Sequence, residues 1–246
     1  MKKVYITIIA SGLVAAVASA GTSVNIDFAS AYVFRGVTVF DDLVIQPSVE
    51  VDGFGMPEEY GTIALGVWGS TAPYSDSYDK LHETDWYLSY TLPELVSNLV
   101  LSVGLTEYQY YFPGGQTELN FGAGYALGDF MLGTTLNYIT DDATPGGGAE
   151  KQTYIDFFAD YAIEISEDLD VNVGGLIGLI FQGENVPLRD DGFNQYELYG
   201  DLIYSINEMW SIGGSLIYIG QIDSDVLLNS DYDKGLVAMF SVGCEM

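Results

Sequence analysis

The segment 24–35 reads VNIDFASAYVFR and alternates between two kinds of side chain. Its even positions are mostly apolar, as at Val24, Phe28 and Phe34, whereas its odd positions are small, apolar in one case, or charged, as at Asp27 and Arg35. A period of two places successive side chains on opposite faces of an extended strand. The segment therefore predicts a β-strand with one apolar and one more polar face.

The same alternation returns along the rest of the chain. It predicts about twelve strands, an even number as in single-chain bacterial outer-membrane barrels. The connections alternate broadly between short and long, which places the short turns and both termini on the periplasmic side of such a barrel. We predict an all-β fold, a transmembrane antiparallel up-and-down β-barrel, with strands near 24–34, 43–51, 61–69, 85–91, 99–108, 117–126, 130–140, 153–163, 169–179, 194–204, 210–220 and 235–245.

Aromatic residues favour a membrane barrel over a soluble β-sandwich, the alternative fold with the same alternation. On the apolar face they cluster toward both strand ends, as the two girdles of a bilayer-crossing barrel do. The predicted outer girdle holds Tyr32, Phe34, Trp86, Tyr138 and Tyr218, and the inner girdle holds Tyr90, Tyr125, Phe130, Tyr161, Tyr204 and Trp210. The inward exceptions are Trp68, Tyr87, Phe158 and Tyr199, of which we expect the first two to narrow the lumen.

The first twenty residues have the features of a secretory signal peptide. Lys2 and Lys3 precede an apolar stretch over 4–18, and Ala18 and Ala20 are the small residues that signal peptidase requires. We predict cleavage after Ala20, which leaves a single outer-membrane barrel domain over 21–246. No later stretch is long and apolar enough for a transmembrane helix.

The charge of the chain excludes several classes of protein. Among 246 residues, 35 are acidic and 7 basic, giving a formal net charge of −28, while 48% are hydrophobic. A nucleic-acid partner needs clustered basic residues, and a disordered acidic chain lacks apolar ones, so neither class fits. The single cysteine, Cys244, excludes an intramolecular disulfide.

Short blocks in the first half of the chain resemble the TorF family of porins. They are SAYVFRG at 30–36, IQP at 45–47 and GVWGS at 66–70, and YYFPG at 110–114 with the following Glu118 is similar to another block of that family. The resemblance implies a barrel that contacts outer-membrane lipid and is inserted by the barrel-assembly machinery. Such barrels usually end on an aromatic residue, whereas this chain ends on Met246.

Charged residues on the polar face are candidates for lining a pore. Carboxylates in a wet lumen attract cations and repel anions. Arg35 is a candidate selectivity residue at a constriction or, alternatively, a member of an ion pair that holds neighbouring strands in register. The candidates are Asp27, Arg35, Glu50, Asp85, Glu118, Asp156, Asp160, Asp170, Glu197 and Asp201.

These residues predict passive diffusion of small solutes or cations through an acidic lumen. The alternative is a non-conducting structural or surface-interaction barrel, whose acidic outer loops contact divalent cations or another surface. The loop acids are Asp41, Asp42, Asp76, Asp79, Asp141, Asp142, Asp190, Asp191, Asp223, Asp225, Asp231 and Asp233. The only histidine, His82, lies in a predicted loop with no strand serine beside it, so we predict no enzymatic activity, no metal and no cofactor.

Overall fold

Twelve antiparallel strands close into one barrel, as the sequence predicts. The computed structural model describes residues 21–54, 56–74, 81–110, 114–142, 151–183 and 190–246, so the predicted signal peptide lies outside the described residues. The barrel strands are β1 (Thr22–Ala29), β4 (Val44–Asp52), β5 (Thr62–Thr71), β6 (Leu81–Thr91), β7 (Leu99–Tyr110), β8 (Gly115–Leu127), β9 (Phe130–Asp142), β10 (Thr153–Ser166), β11 (Leu169–Phe181), β12 (Gly192–Ser205), β13 (Trp210–Gln221) and β14 (Leu236–Glu245). Two further strands, β2 (Tyr32–Phe34) and β3 (Val37–Phe40), form a separate hairpin.

The first and last strands close the barrel. β1 pairs with β14, with Val24 opposite Cys244, and on its other side pairs with β4. Every other barrel strand pairs with its barrel neighbours in chain order. Closure leaves no strand edge with unpaired backbone groups, which is the condition for crossing a bilayer as strands.

The apolar face of the strands points outward. Large apolar side chains such as Leu198, Phe157 and Leu216 are exposed along the barrel wall. Trp86 and Tyr218 are exposed toward the outer strand ends, and Phe130 and Trp210 are exposed at the inner ends. An apolar exterior with aromatic ends is the arrangement of a transmembrane barrel, not of a soluble sandwich. Among the described residues, the structure has no helix with the length and apolarity needed to span a membrane.

The prediction of one strand over 24–34 is wrong beyond Ala29. The chain leaves the barrel wall there, and residues 30–43 carry the hairpin of β2 and β3 into the interior. Its turn is Arg35-Gly36, with φ of 51° and 81°, and positive φ at both central residues is the requirement of a type I′ turn. The sequence pattern misses this change because β2 continues the period of two.

Two aromatic residues predicted for the outer girdle therefore lie inside the barrel. Tyr32 is buried, and its ring centroid lies 5.5 Å from that of Trp68. Phe34 packs against the same interior cluster, and its ring centroid lies 6.0 Å from that of Tyr108. Inserting these rings into the lumen removes apolar surface from water as effectively as facing lipid does.

The interior wall is not polar throughout. Ile217, Ile219 and Val237, on the outer halves of β13 and β14, are buried in a cluster with Ala31 and Tyr32 of the inserted segment. The apolar residues on this side of the wall are the surface on which the base of the hairpin packs. The predicted polar lumen is thus interrupted where the inserted segment covers it.

Three inward aromatic rings lie over glycines of the next strand. Tyr87 lies over Gly66, and Tyr199 over Gly174, each directly opposite its glycine in the register. Phe158 occupies the same position over Gly133. A glycine has no Cβ, so a ring can approach the backbone closely there. Tyr87 consequently lies along the wall. The segment that crosses the lumen is the inserted hairpin, which the strand pattern does not predict.

Candidate functional site

The tip of the hairpin reaches the far wall of the barrel. β8 is the fifth strand from β1 around the twelve-strand ring, counted through β4, and Arg35 at the turn pairs with Glu118 of β8. At its base, the Tyr32 hydroxyl donates a hydrogen bond to Glu83 Oε2 of β6 at 2.8 Å. The hairpin therefore spans the interior at the level of the outer halves of the strands.

Arg35 and Glu118 form a buried bidentate ion pair. Arg35 Nη1 lies 2.8 Å from Glu118 Oε2, and Nη2 lies 3.0 Å from Oε1. Their side chains are only 6% and 1% exposed. Tyr108 and Asn120 also donate to Glu118 Oε1, at 3.0 and 2.8 Å. The expected ion pair is therefore present, but it does not hold neighbouring strands in register, because Arg35 is on the inserted hairpin and its partner is across the barrel.

Aromatic rings and electrostatics keep this arginine charged. The guanidinium carbon lies 4.7 Å from the centroid of the Phe34 ring and 4.5 Å from that of Tyr154, within the range of a cation–π contact. Burial, the largest single effect, lowers the pKa of Arg35, but the Glu118 carboxylate and the neighbouring Tyr108 and Tyr154 together raise it by more, so the pKa lies above its ordinary value. A charged guanidinium is what the bidentate pairing requires.

The wall beside the tip is a continuous chain of hydrogen bonds. Asn120 Nδ2 donates to Asn137 Oδ1 at 2.9 Å, and Asn137 Nδ2 donates to Thr135 Oγ1 at 3.0 Å. Thr135 Oγ1 in turn donates to Asp156 Oδ2 at 2.5 Å. These residues of β8, β9 and β10 are all buried. Because each side chain fixes the next, the wall gives Glu118 one orientation.

A bulge in β12 provides a second attachment for the tip. The register places two residues, Asn194 and Gln195, opposite Gly178 alone. Both side chains are buried, and Asn194 Nδ2 donates to the Arg35 carbonyl oxygen at 2.6 Å. Gln195 Nε2 donates to the Tyr154 hydroxyl at 2.8 Å, in the space that a side chain at position 178 would fill. A bulge that re-aims side chains toward a site is a common use of this irregularity.

The last outer loop, residues 222–235, covers the hairpin from outside. Leu227 is buried and lies against Gly36, where its side chain is the nearest atom to an added Cβ. The Thr38 amide donates to the Asp231 carbonyl oxygen at 2.7 Å. Lys234 Nζ lies 3.3 Å from Asp41 Oδ2 in an exposed ion pair. The hairpin is therefore held from the wall and from the loop.

A cavity of about 400 Å³ lies in the barrel interior beside the hairpin. It extends from Phe34 and Glu118 beside the hairpin to Ser211 and Gly243 near the inner ends of their strands. Six acidic side chains line it, and no Lys, Arg or His does among the described residues: Asp27, Glu50, Asp85, Glu118, Glu197 and Asp201.

The other four predicted pore residues do not line this cavity. Arg35 is at the hairpin tip, and Asp156 is fully buried against Thr135. Asp160 accepts a short hydrogen bond from Tyr199, and Asp170 lies near the inner end of β11. Sequence parity thus places the acids on the inner face but does not separate those facing the cavity from those used in the wall.

Sequence reasoning misses Glu83, the buried partner of Tyr32. Its parity matches that of Asp85, but the predicted strand begins only at residue 85, whereas β6 begins at Leu81. Asp76 and Asp79, like residues 111–113 of the family-like block, lie outside the described residues, and so do the side chains of Asp141, Asp142 and His82. In the described part of the chain, no three His, Cys, Asp or Glu residues are grouped as a metal site.

Comparison with solved structures finds barrels of the same kind. The chain is similar to the NanC porin, with a TM-score of 0.54 and 10% identity over 91% of this chain and 98% of that one. It is similar to an outer membrane channel from Pseudomonas putida F1, with a TM-score of 0.57 and 8% identity over 94% and 97% of the two chains. The KdgM porin matches with a TM-score of 0.51 and 6% identity, over 92% and 97%.

No family model matches the chain, and the search of curated proteins finds no match. At these identities the similarity lies in the fold: nearly the whole length of each neighbour superposes on this barrel. The chain has the fold of bacterial outer-membrane porins and channels.

Proposed function

We propose that this protein is an outer-membrane channel for passive diffusion of small solutes, with a preference for cations, and that the inserted hairpin is its constriction. The observation that carries the proposal is the interior cavity, which six acids line without a basic residue among the described residues. The proposal makes no use of a chemical step or a cofactor. It also keeps outer-membrane lipid and the barrel-assembly machinery as the expected partners.

The charge of the cavity supports the preference for cations. Arg35 neutralises Glu118 through the bidentate pair, which leaves the other five lining acids without a basic partner among the described residues. Carboxylates enclosed by low-dielectric walls focus a negative potential along the lumen. Such a potential raises the local concentration of cations and lowers that of anions.

The position of the hairpin supports a role in limiting size. It crosses from the β1 side to Glu118 on β8 and is covered by Leu227 of the last loop. A twelve-strand barrel is wider than a filled eight-strand barrel, so an inserted segment has room to narrow it without closing the lower lumen. The resemblance of SAYVFRG to the TorF family falls on this segment.

Single-channel recording in a planar bilayer tests the proposal. We expect small cation-selective steps from the protein, measured by the reversal potential across a KCl gradient. Replacing residues 31–41 by a short Gly-Ser linker should enlarge the steps. Anion preference would contradict the charge argument, and silence from both folded proteins would contradict the channel.

A matched pair of variants tests which acids set the selectivity. The double variant Asp27→Asn and Glu50→Gln removes two cavity-lining carboxylates, whereas Asp129→Asn with Asp168→Asn removes two exposed ones in the inner turns. We expect only the first to shift the reversal potential toward zero. Equal shifts would assign the preference to overall charge, not to the cavity.

The alternative is a non-conducting structural barrel. One feature of the hairpin favours this alternative, namely the contacts that hold its tip. The tip is held by a buried ion pair, by Asn194 and by the last loop, which together oppose opening. If the native protein is silent and the linker variant conducts, the barrel is a closed channel. If the native protein and the linker variant are both folded and neither conducts, the result supports the non-conducting structural barrel.

A further inference from the structure

We infer that the interior cavity binds a small organic cation carrying two primary ammonium groups. The inference rests on the proposed cation-preferring channel and names the class of solute that its interior recognises. Two buried acids, the aromatic lining and the absence of a grouped metal site in the described residues support it.

Two deeply buried acidic side chains line the cavity, and each has one oxygen without a hydrogen-bond partner. Asp85 and Asp201 are 8% and 5% exposed, and both line the cavity. Oδ1 of each has no hydrogen-bond donor in the described structure. A buried acceptor without a donor is unfavourable, and more so when it is charged, so a ligand N–H at either oxygen would be favourable.

The two carboxylates lie on opposite sides of the ring and at different heights. Asp85 is on β6 and Asp201 on β12, six strands apart in the barrel order. Asp85 is the fifth residue of β6 from its outer end, whereas Asp201 is nearer the inner end of β12. One ammonium group cannot meet both, so the arrangement favours a ligand with a cationic group at each end.

Aromatic side chains on the strands around Asp85 offer contacts to the carbon chain of such a ligand. Trp68, Tyr87 and Tyr108 line the same cavity as the two acids. Aromatic faces attract organic cations and pack against alkyl groups. The volume of about 400 Å³ falls within the range of small-molecule sites, about 300–1,000 Å³.

A bare divalent cation does not fit this lining. Ca²⁺ takes six to eight oxygen ligands at close range. No group of three acidic or other metal-ligating residues gathers within the part of the chain that the structure describes. Dispersed acids between aromatic rings are a better match for an extended organic cation than for a point charge.

Calorimetric titration of the folded protein in detergent with 1,4-diaminobutane tests the inference without requiring conduction. We expect saturable binding of this diamine and none of butane-1,4-diol, its uncharged analogue. The double variant Asp85→Asn and Asp201→Asn should weaken binding at least about tenfold, because each loses a charged acceptor. The control Asp129→Asn with Asp168→Asn changes the net charge equally and should bind as the native protein does.

Each outcome bears on the inference separately from the channel. No saturable heat from protein that still migrates as a folded barrel would overturn it, and so would displacement of the diamine by MgCl₂ at equal concentration. Conduction without diamine binding would leave the channel and remove the site. Binding without conduction would keep the site and remove the channel.

Discussion

Replacing Arg35 by methionine should release the tip of the hairpin. The variant keeps most of the side-chain volume but removes the guanidinium, which makes two hydrogen bonds of 2.8 and 3.0 Å to Glu118. We call the hairpin closed when its tip lies against β8, as in the structure, and open when the tip has left this wall. In the closed state the Glu118 carboxylate, 1% exposed, would then stay buried with only Tyr108 and Asn120 as donors. In the open state water reaches it. The substitution therefore penalises the closed state alone.

The size of the effect follows from the burial of the pair. Removing one partner of a buried ion pair destabilises by about 3–5 kcal/mol, because the other charge is left without compensation. At about 1.4 kcal/mol per factor of ten, this raises the ratio of open to closed hairpin by two to almost four orders of magnitude. The measurement is the open fraction, defined as the fraction of single-channel time that folded protein spends at the larger step size of the linker variant.

Lys234→Met is the matched control. Lys234 pairs with Asp41 at 3.3 Å, but both side chains are exposed, 38% and 53%. An exposed pair contributes about 0–1 kcal/mol, so the open fraction should change less than about fivefold. If Arg35→Met opens no more often than Lys234→Met, the ion pair does not hold the tip.

A second variant separates the charge from the shape. In Arg35→Met with Glu118→Met both charges are gone, and apolar replacement of a complete buried pair is often neutral or stabilising. We expect this double variant to close again, with an open fraction near that of the native protein. An open fraction that stays at the level of the single variant would show that packing, not the unpaired carboxylate, governs the tip.

Three further results are expected. Gly66→Ala forces a methyl group into the ring of the paired tyrosine and should lower stability by about 1–3 kcal/mol, seen as a lower temperature of the heat-dependent gel shift, whereas Gly200→Ala, with its nearest atoms 3.9 Å away, should not. Leu198→Arg in the middle of the lipid-facing belt should lower the free energy of unfolding from vesicles by about 2–4 kcal/mol, and Leu127→Arg at an inner strand end by about 0–1, so equal losses would contradict the outward orientation. Mass spectrometry of the membrane-extracted protein should find Gly21 as the first residue, whose nitrogen lies 2.8 Å from an Asp52 oxygen, and an intact Met1 would contradict the signal peptide.

Strand number and orientation could be read from the sequence because one face of each strand contacts a single environment. The predicted strand at 153–163 corresponds to β10, Thr153–Ser166, and its alternation of Phe157 outward with Asp156 inward holds along the strand. Lipid on one side and a mostly polar interior on the other impose the period of two on every barrel strand. The predicted and observed strands differ mainly at their ends, because the turns are not subject to this two-sided constraint.

The inserted hairpin could not be read from the same pattern. Tyr32 and Phe34 continue the alternation of β1, so the period of two is equally consistent with a longer wall strand. Both turn residues have positive φ, which Gly36 adopts readily but Arg35 does not, so the pair is a weak sequence signal for this turn. The contact that places the tip joins residues 83 positions apart, and no local pattern encodes it.

The two ends of the hairpin meet walls of different chemistry, and this difference bears on how the constriction can move. At the base, Ala31 and Tyr32 are buried against Ile217, Ile219 and Val237, which would face water if the whole hairpin left the barrel. Each aliphatic side chain of this size loses about 1.5–3 kcal/mol on full exposure. Complete exit is therefore more costly than release of the tip, which the Arg35–Glu118 pair holds together with Asn194 and the last loop.

Opening by the tip alone is the motion that this division favours. In the proposed channel the apolar base would anchor the hairpin, and we expect the Arg35–Glu118 pair to have the larger effect on how often the tip leaves the β8 wall. Substitutions at Arg35 should accordingly change the open fraction with the fold intact. A polar residue at Ile219, by contrast, should lower the stability of the hairpin as a whole, because a buried polar group there lacks a partner. The apolar base and the ion-paired tip of the hairpin thus lie against opposite walls of the barrel.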